Sequence, residues 1–217
     1  MTSVTRWWLI RHAPVLGMKG RLYGSRDVPC DTSNTAMFVA LAKKLPAEAL
    51  WITSQLNRAI ETAAAIRAAG LDAPLPEIEP DLCEQNFGDW AELTWDEMEE
   101  RSPKKYRTFW EDPARNAPPG GESFAEVVIR TSCALKRHTA NNLGRDIVAV
   151  CHGGSIRAAL AHAMGLSPER GMAIVIDTLS LSRIDNVEGG MLRGKGSAWR
   201  MLAVNHPPAS PLPQGHS

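Results

Sequence analysis

A strand, a turn and the start of a helix are encoded in nine consecutive residues, Ile147-Val148-Ala149-Val150-Cys151-His152-Gly153-Gly154-Ser155. The aliphatic run at 147–150 predicts a buried strand of a central sheet, because a half-exposed strand would alternate apolar and polar residues. Helical spacing follows over 155–164, and the glycine pair between the two elements permits close approach of the backbone to a ligand. A buried strand that leads into a helix is typical of a layered α/β fold.

Other segments repeat this alternation of apolar strand and helix. Residues 7–10 and 50–52 are short runs of β-forming residues and predict two more strands of the sheet. Helical spacing predicts helices over about 35–45, 58–69 and 124–141, the last of them opened by a capping box of Ser123 and Glu126. Residues 174–184 and 199–204, which are separated by a turn-rich segment, predict a closing hairpin.

The chain of 217 residues fits a single domain, which we place at residues 1–205. Residues 82–121 differ from their surroundings in carrying three tryptophans, many charges and a Pro-Pro-Gly-Gly turn. We interpret them as an insertion, or lid, over one edge of the sheet. The proline-rich tail at 206–217 is expected to be disordered.

The overall charge argues against two classes of partner. Twenty-four basic residues balance twenty-four acidic ones, so no net field attracts nucleic acid or an anionic membrane surface. The N-terminus lacks the features of a secretory signal and no stretch is apolar enough to span a bilayer, so we expect a cytoplasmic protein. The four cysteines lack the paired spacing of a zinc site, and we expect no metal. Monomer and homodimer both remain open.

Ionisable residues follow three of the predicted strands. Arg11 and His12 come directly after the first strand, Arg58 a few residues after the second, and His152 at the end of the third. Because ligands of open α/β sheets bind beyond the carboxyl ends of the strands, we expect these four side chains to converge. Singly, each is equally typical of a solvated surface residue, but together they form a pocket for a phosphoryl dianion, to which the backbone at Gly153 adds N–H donors.

Cys151, next to His152, introduces a second candidate nucleophile. A cysteine beside a histidine is one arrangement that activates a thiol. Cys151 ends an apolar run, however, and free cysteines are among the most often buried residues. A small core residue is therefore the favoured interpretation of this position.

Five blocks of the sequence, taken in order, resemble the histidine phosphatase superfamily, the phosphoglycerate-mutase-like proteins. They are Leu9-Ile10-Arg11-His12, Ser54-Gln55-Leu56-Asn57-Arg58-Ala59 with Thr62, Glu84 with Phe87-Gly88-Asp89-Trp90, Pro119-Gly120-Gly121-Glu122-Ser123, and Cys151-His152-Gly153-Gly154-Ser155-Ile156-Arg157. The resemblance runs from about residue 6 to about residue 205. It implies a three-layer α/β/α sandwich with a mostly parallel central sheet and an insertion over the active site.

The resemblance also implies roles for individual residues. His12 would be the nucleophile, Arg11, Arg58 and His152 the phosphate pocket, and Glu84 the proton donor to the leaving group. This chemistry needs no cofactor, because a neutral imidazole and a ring of cationic donors supply the nucleophile and the charge stabilisation. Without the family pattern, Glu84 would be interpreted as an exposed loop carboxylate.

Residues near the predicted pocket are further candidates. Arg21 and Tyr23 lie in a glycine-containing loop after His12 and are candidate substrate contacts, although solvated loop residues fit the pattern equally well. Arg157, one turn into the helix after His152, is interpreted as a structural residue and left out of the catalytic set.

The chain departs from the family pattern after the nucleophile, where Ala13, followed by Pro14, stands in place of the usual glycine. Ala13 would bring a Cβ near the phosphate, and Pro14 removes a backbone donor. The family's mutases would also be expected to show a longer polar run here, where Val15 and Leu16 stand. We therefore predict a metal-independent phosphatase acting on a small-molecule phosphomonoester. Mutase-type transfer and an inactive phosphate-binding protein of the same fold are the alternatives.

Within the superfamily, the chain looks most like the α-ribazole phosphatase branch. The features that carry this likeness are the block Phe87-Gly88-Asp89-Trp90 and the predicted C-terminal hairpin. The same pocket serves many phosphomonoesters, so the branch gives only α-ribazole phosphate as one candidate substrate.

Overall fold

In the described part of the chain, six strands form the central sheet, in the order β3-β2-β4-β1-β5-β6. The computed structural model of the chain describes residues 3–190 and 198–212. The strands are β1 (Val4–Arg11), β2 (Leu50–Thr53), β3 (Glu77–Ile78), β4 (Asp146–Cys151), β5 (Leu181–Val187) and β6 (Trp199–His206). The first four are mutually parallel, while β5 runs antiparallel to β1 and β6 antiparallel to β5. The sheet is thus mostly parallel, as predicted.

The described residues form seven α-helices. They are α1 (Thr35–Ala42), α2 (Asn57–Ala68), α3 (Trp95–Arg101), α4 (Pro103–Glu111), α5 (Phe124–Asn141), α6 (Gly153–Met164) and α7 (Pro168–Met172). The predicted helices correspond to α1, α2, α5 and α6. The capping box of Ser123 and Glu126 is present at the start of α5, and α6 ends at Gly165, which has the left-handed conformation that glycine favours. None of the described helices has the length and apolar character needed to cross a membrane.

The two faces of the sheet bury separate hydrophobic clusters. On one face, Trp51 and Val148 pack with Phe38 of α1 and Ile66 of α2. On the other face, residues that alternate with these along the strands pack against α5 and α6, as Ile147 does with Leu135. Burial of both faces explains why the strands show continuous apolar runs and confirms the three-layer sandwich.

Two predictions about the chain's C-terminal part differ from the structure. The predicted hairpin is present, but its first strand begins at Leu181 rather than Ile174, because residues 168–172 form α7 and a turn follows. The tail was expected to be disordered, yet Lys44 donates hydrogen bonds to the carbonyls of Pro207 and Ser210, and Leu212 packs against the core. Composition alone therefore misjudged the segment up to residue 212. Residues 213–217 lie outside the described part of the chain.

The predicted insertion, residues 82–121, holds α3, α4 and a small core of its own. Trp90, Leu93, Met98 and Phe109 are buried together there, and Leu22 packs against them. The backbone of the insertion is joined to the loop after β1 by hydrogen bonds between Leu22 and residues 92 and 93. These bonds join the insertion to the loop that follows Arg11 and His12, and its position over the active site stays a prediction.

Candidate active site

The carboxyl ends of three neighbouring parallel strands bring the predicted residues together. Arg11 at the end of β1 pairs with Cys151 at the end of β4, and Thr53 of β2 pairs with Val150. The next residue along each strand therefore emerges at the same edge, which places His12, His152 and Ser54 side by side. The ring centroids of His12 and His152 are 5.1 Å apart.

His12 is held as a neutral imidazole with a defined tautomer. Its side chain is fully buried, and its Nδ1 lies 2.7 Å from the carbonyl oxygen of Ala13. A carbonyl only accepts, so Nδ1 carries the proton and Nε2 keeps its lone pair. Burial, and then the positive charge of Arg58, lower the pKa of His12 from 6.5 to about 3. Nε2 has no hydrogen-bond partner among the described residues, which leaves its lone pair available for nucleophilic attack.

Two arginines flank His12 without a carboxylate partner in the described part of the chain. Arg58 is fully buried, and its terminal nitrogens donate to the carbonyls of Arg26 (2.5 Å) and Gly24 (2.6 Å). Arg11 donates from Nη1 to the carbonyl of Ile176 at 2.6 Å. These bonds orient the guanidinium groups while the buried Nε atom of each has no described partner. A buried guanidinium such as that of Arg58 is unfavourable without an ion-pair partner, and the partly buried Arg11 adds a second positive charge, so this site is suited to an anion.

His152 adds a further polar group to the same site. Its Nε2 lies 2.6 Å from Oγ of Ser54, and its buried Nδ1 has no partner within the described ranges. Burial, and then the neighbouring His12, hold the pKa of His152 well below its ordinary value. When the Ser54 hydroxyl donates to Nε2, Nδ1 carries the hydrogen and becomes a donor for a phosphoryl oxygen. Ser54 lay within a quoted sequence block, but this role was not foreseen.

Glu84 reaches the site from the insertion. Its carboxylate accepts hydrogen bonds from the backbone N–H of Gly154 (3.1 and 3.2 Å) and of Gln85 (2.9 Å). A Cβ at residue 154 would collide with Oε1 of Glu84, so only glycine permits this approach. The predicted acid thus lies at the start of α6, the helix that begins directly after His152. Gly153 borders the guanidinium of Arg11, and its predicted contact with phosphate stays a prediction.

Arg130 of α5 fixes the loop that carries Glu84. Its guanidinium donates to the carbonyls of Asp81 (2.7 Å), Cys83 (2.8 Å) and Glu84 (3.3 Å). It also forms a two-point ion pair with Glu122, at 2.9 and 3.0 Å. Sequence reasoning missed this residue, because an arginine on a helix that binds backbone carbonyls leaves no signature in the sequence.

Ala13, the departure from the family pattern, faces away from the predicted pocket. The residue is fully buried and belongs to the core cluster that contains Trp8 and Ile10. Its N–H donates to Oγ1 of Thr62 at 2.9 Å, and Thr62 in turn donates to the carbonyl of Arg58. The methyl group therefore contributes to packing, and the backbone of Ala13 links the nucleophile's strand to α2.

The two candidate substrate contacts differ in their availability. Tyr23 lies beside the site, with its ring 6.5 Å from that of His12 and under the guanidinium of Arg58. Arg21 lines the same pocket, but its guanidinium donates to Glu97 (2.9 Å) and to the carbonyl of Glu92 (2.7 Å). Arg157 also lines this pocket and donates from Nε to the carbonyl of Ile174 at 2.7 Å. Contact of Arg21 or Tyr23 with substrate stays a prediction.

Cys151 behaves as a core residue, as interpreted from the sequence. It is buried in the cluster beneath α6, and burial raises the pKa of its thiol to about 12. A thiol with so high a pKa is protonated at neutral pH and is a poor nucleophile. Among residues 3–190 and 198–212, no group of three or more histidine, cysteine or acidic residues is arranged to hold a metal ion.

Comparison with known proteins places these features in a family. The model of the histidine phosphatase superfamily (branch 1) matches residues 7–193, which include every residue of the predicted pocket. The chain belongs to the histidine phosphatase superfamily. The metal-independent phosphoserine phosphatase of Arabidopsis thaliana is 30% identical over 162 residues, covering 72% of this chain and 68% of that protein. The glucosyl-3-phosphoglycerate phosphatase of Mycolicibacterium vanbaalenii is 33% identical over 176 residues, covering 75% of this chain and 76% of that protein.

A solved structure extends the comparison to the whole fold. The α-ribazole phosphatase from Shigella flexneri superposes with a TM-score of 0.80, covering 96% of this chain and 100% of that chain. The two are 22% identical, so this likeness concerns the fold. Family membership and the named phosphatases among the relatives identify this chain as a phosphoric monoester hydrolase of the histidine phosphatase type, as predicted.

Proposed function

We propose that the chain hydrolyses a small-molecule phosphomonoester through a phosphohistidine formed on Nε2 of His12. The observation that carries the proposal is the state of this atom: it is buried, belongs to a neutral imidazole and has no partner among the described residues. It lies beside Arg11 and Arg58, two cations without a carboxylate partner there. A nucleophile surrounded by unpaired cations fits attack on a phosphoryl dianion.

In the first step, Nε2 of His12 attacks phosphorus in line with the ester bond. The N–P bond forms as the P–O bond to the alcohol breaks, and the protonated carboxyl of Glu84 gives its proton to the departing oxygen. Arg11, Arg58 and Nδ1 of His152 donate to the three equatorial oxygens, whose charge is greatest in the transition state. The hydrogen bond from Nδ1 of His12 to the Ala13 carbonyl stabilises the cationic ring of the phosphohistidine.

In the second step, water resolves the intermediate. The carboxylate of Glu84 accepts a proton from a water molecule as its oxygen attacks phosphorus, and the P–N bond breaks. Inorganic phosphate leaves, His12 returns to its neutral form and Glu84 is protonated for the next cycle. The close approach of Glu84 to the N-terminus of α6 supports its assignment to both proton transfers.

The substrate is proposed at the level of a class. α-Ribazole phosphate is the candidate suggested by sequence resemblance, and phosphoserine and glucosyl-3-phosphoglycerate are suggested by the names of relatives. A panel of phosphorylated metabolites that contains all three would rank them by kcat/KM.

Replacement of the nucleophile tests the mechanism. An asparagine at residue 12 can still donate a hydrogen bond to the Ala13 carbonyl, so His12→Asn removes the nucleophile with little structural change. We expect release of phosphate from an aryl phosphate to fall by about 10³-fold or more. His162→Asn, at the far end of α6, is the matched control and should retain wild-type turnover. Equal activity of His12→Asn and wild type would refute the phosphohistidine mechanism.

The product distinguishes the alternatives. Accumulation of inorganic phosphate supports hydrolysis, whereas an isomeric phosphate ester without free phosphate indicates a mutase. An inactive binding protein would release neither product from any ester in the panel.

A further inference from the structure

An aromatic pocket of about 320 Å³ adjoins the phosphate site. The aromatic side chains in its wall are Phe87, Trp90, Trp95, Phe109 and Trp110 of the insertion, together with Tyr23 and Phe124. Arg11, Glu84 and Gly153, which belong to the predicted phosphate site, also line this pocket. The volume is that of roughly ten molecules of liquid water, so it admits a leaving group of one or two rings.

In-line transfer determines which part of the substrate enters this pocket. The departing oxygen lies on the far side of phosphorus from Nε2 of His12. Glu84, which protonates that oxygen in the proposed mechanism, lines this pocket. The alcohol attached to the oxygen therefore extends along the aromatic wall.

The wall presents apolar surface that the small core of the insertion does not use. Trp90 and Phe109 are buried in that core, with 2% and 6% of their surface exposed. Trp95 and Trp110 are each 46% exposed, and their ring centroids lie 5.6 Å apart. Two adjacent indoles that remain open to a pocket are typical of a binding surface for a flat apolar group.

The wall offers few cations to an anionic leaving group. Arg21 is paired with Glu97 at 2.9 Å, and Arg11 belongs to the predicted phosphate site. Arg157 has no carboxylate partner among the described residues, and its Nε donates to the carbonyl of Ile174. The described residues that line the pocket include no lysine. A carboxylate on the alcohol would thus meet Arg157 alone, whereas the phosphoryl group meets two arginines.

We propose that this pocket binds the leaving group, and that the preferred substrates are phosphomonoesters whose alcohol carries an uncharged aromatic ring. The inference rests on the proposed function and defines its substrate class. Burial of one ring against the indoles should increase kcat/KM about tenfold to a hundredfold over an ester without the ring.

A pair of esters with equally basic leaving groups tests the inference. 2-Phenylethyl phosphate and ethyl phosphate both release a primary alcohol, so the proton requirement is the same and only the ring differs. We expect a ratio of kcat/KM between ten and one hundred for the wild type. Trp110→Ala should lower this ratio at least fivefold, while Trp110→Phe should preserve most of it. Leu75→Ala, an exposed position between α2 and β3, is the matched control and should give the wild-type ratio.

The outcomes separate this inference from the proposed function. If wild type hydrolyses both esters through His12 with a ratio near one, the aromatic preference is refuted and the phosphatase mechanism stands. If neither ester is hydrolysed, binding of 2-phenylethylphosphonate and ethylphosphonate, followed by tryptophan fluorescence, decides the question. Tighter binding of the phenylethyl compound by tenfold or more supports the inference, and equal binding overturns it.

Discussion

The environment of His12 illustrates how one residue acquires a function from its neighbours. A histidine in water is half protonated near pH 6.5, and the protonated ring is no nucleophile. Burial and two nearby arginines keep His12 neutral, while the Ala13 carbonyl fixes the proton on Nδ1. Nε2 therefore keeps its lone pair, and it has no hydrogen-bond partner among the described residues.

The lowered pKa of His12 predicts a pH dependence of stability. Between about pH 3 and pH 6.5 the unfolded chain binds a proton at His12 that the folded protein does not, so the free energy of unfolding falls as the pH is lowered through this window. From pH 7 to pH 5 the loss due to His12 is about 2 kcal/mol. Urea unfolding at both pH values should show that His12→Asn loses about 2 kcal/mol less than wild type. Equal losses in the two proteins would contradict the buried neutral state.

Among the elements, α5 connects the sheet to Glu84, the proposed acid. It packs against α6 on one side, and its Arg130 holds three carbonyls of the loop that carries Glu84. The arginine fork makes these contacts together with the ion pair to Glu122, which a lysine cannot reproduce. The position of Glu84 therefore depends on a helix that contributes no residue to the phosphate pocket.

Arg130→Lys should affect substrates according to their need for a proton. In the proposed mechanism an alkyl phosphate requires protonation of its leaving group by Glu84, whereas 4-nitrophenyl phosphate hardly does. We expect kcat/KM for ethyl phosphate to fall about tenfold or more, and that for 4-nitrophenyl phosphate by much less. Arg137→Lys is the control, because Arg137 lies on the same helix and pairs with Glu79 and Asp81. Equal decreases for both esters in Arg130→Lys would indicate a purely structural role.

How far the helices and strands could be predicted from sequence depended on their length and on the capping signals at their ends. The bounds of α5 were predicted fully, since helical spacing and the Ser123 capping box agree over residues 124–141. The helices α3 and α4 were missed, because each is short. Their apolar side chains pack in the core of the insertion or line the pocket, and they do not pack against the sheet. Strand β3 has two exposed residues and no apolar run to reveal it.

At the scale of the whole molecule, the candidate site follows from topology. Arg11, His12, Arg58 and His152 could be predicted together because parallel strands in adjacent positions end at one edge. Glu84 came only from the family resemblance, since nothing local distinguishes it from other loop carboxylates. Ser54 and Arg130 act through hydrogen bonds between distant segments, and their partners emerge only when the chain is folded.

Because the phosphate site joins three strand ends, a bound phosphate should stabilise the entire domain. At a phosphate concentration one hundred times the dissociation constant, the free energy of unfolding rises by about 2.7 kcal/mol, which raises Tm by several degrees for a chain of this size. Differential scanning calorimetry of wild type with phosphate, against chloride at equal ionic strength, measures this rise.

Arg58→Met, which removes the fully buried cation of the site, should show almost none of this rise at the same phosphate concentration. Arg67→Met is the matched control: Arg67 lies on the same helix and donates to the carbonyl of Ala73, away from the site, so the full rise should remain. A rise in Arg58→Met as large as in wild type would show that phosphate binds elsewhere, and the convergence of the strand ends would then not be the anion site.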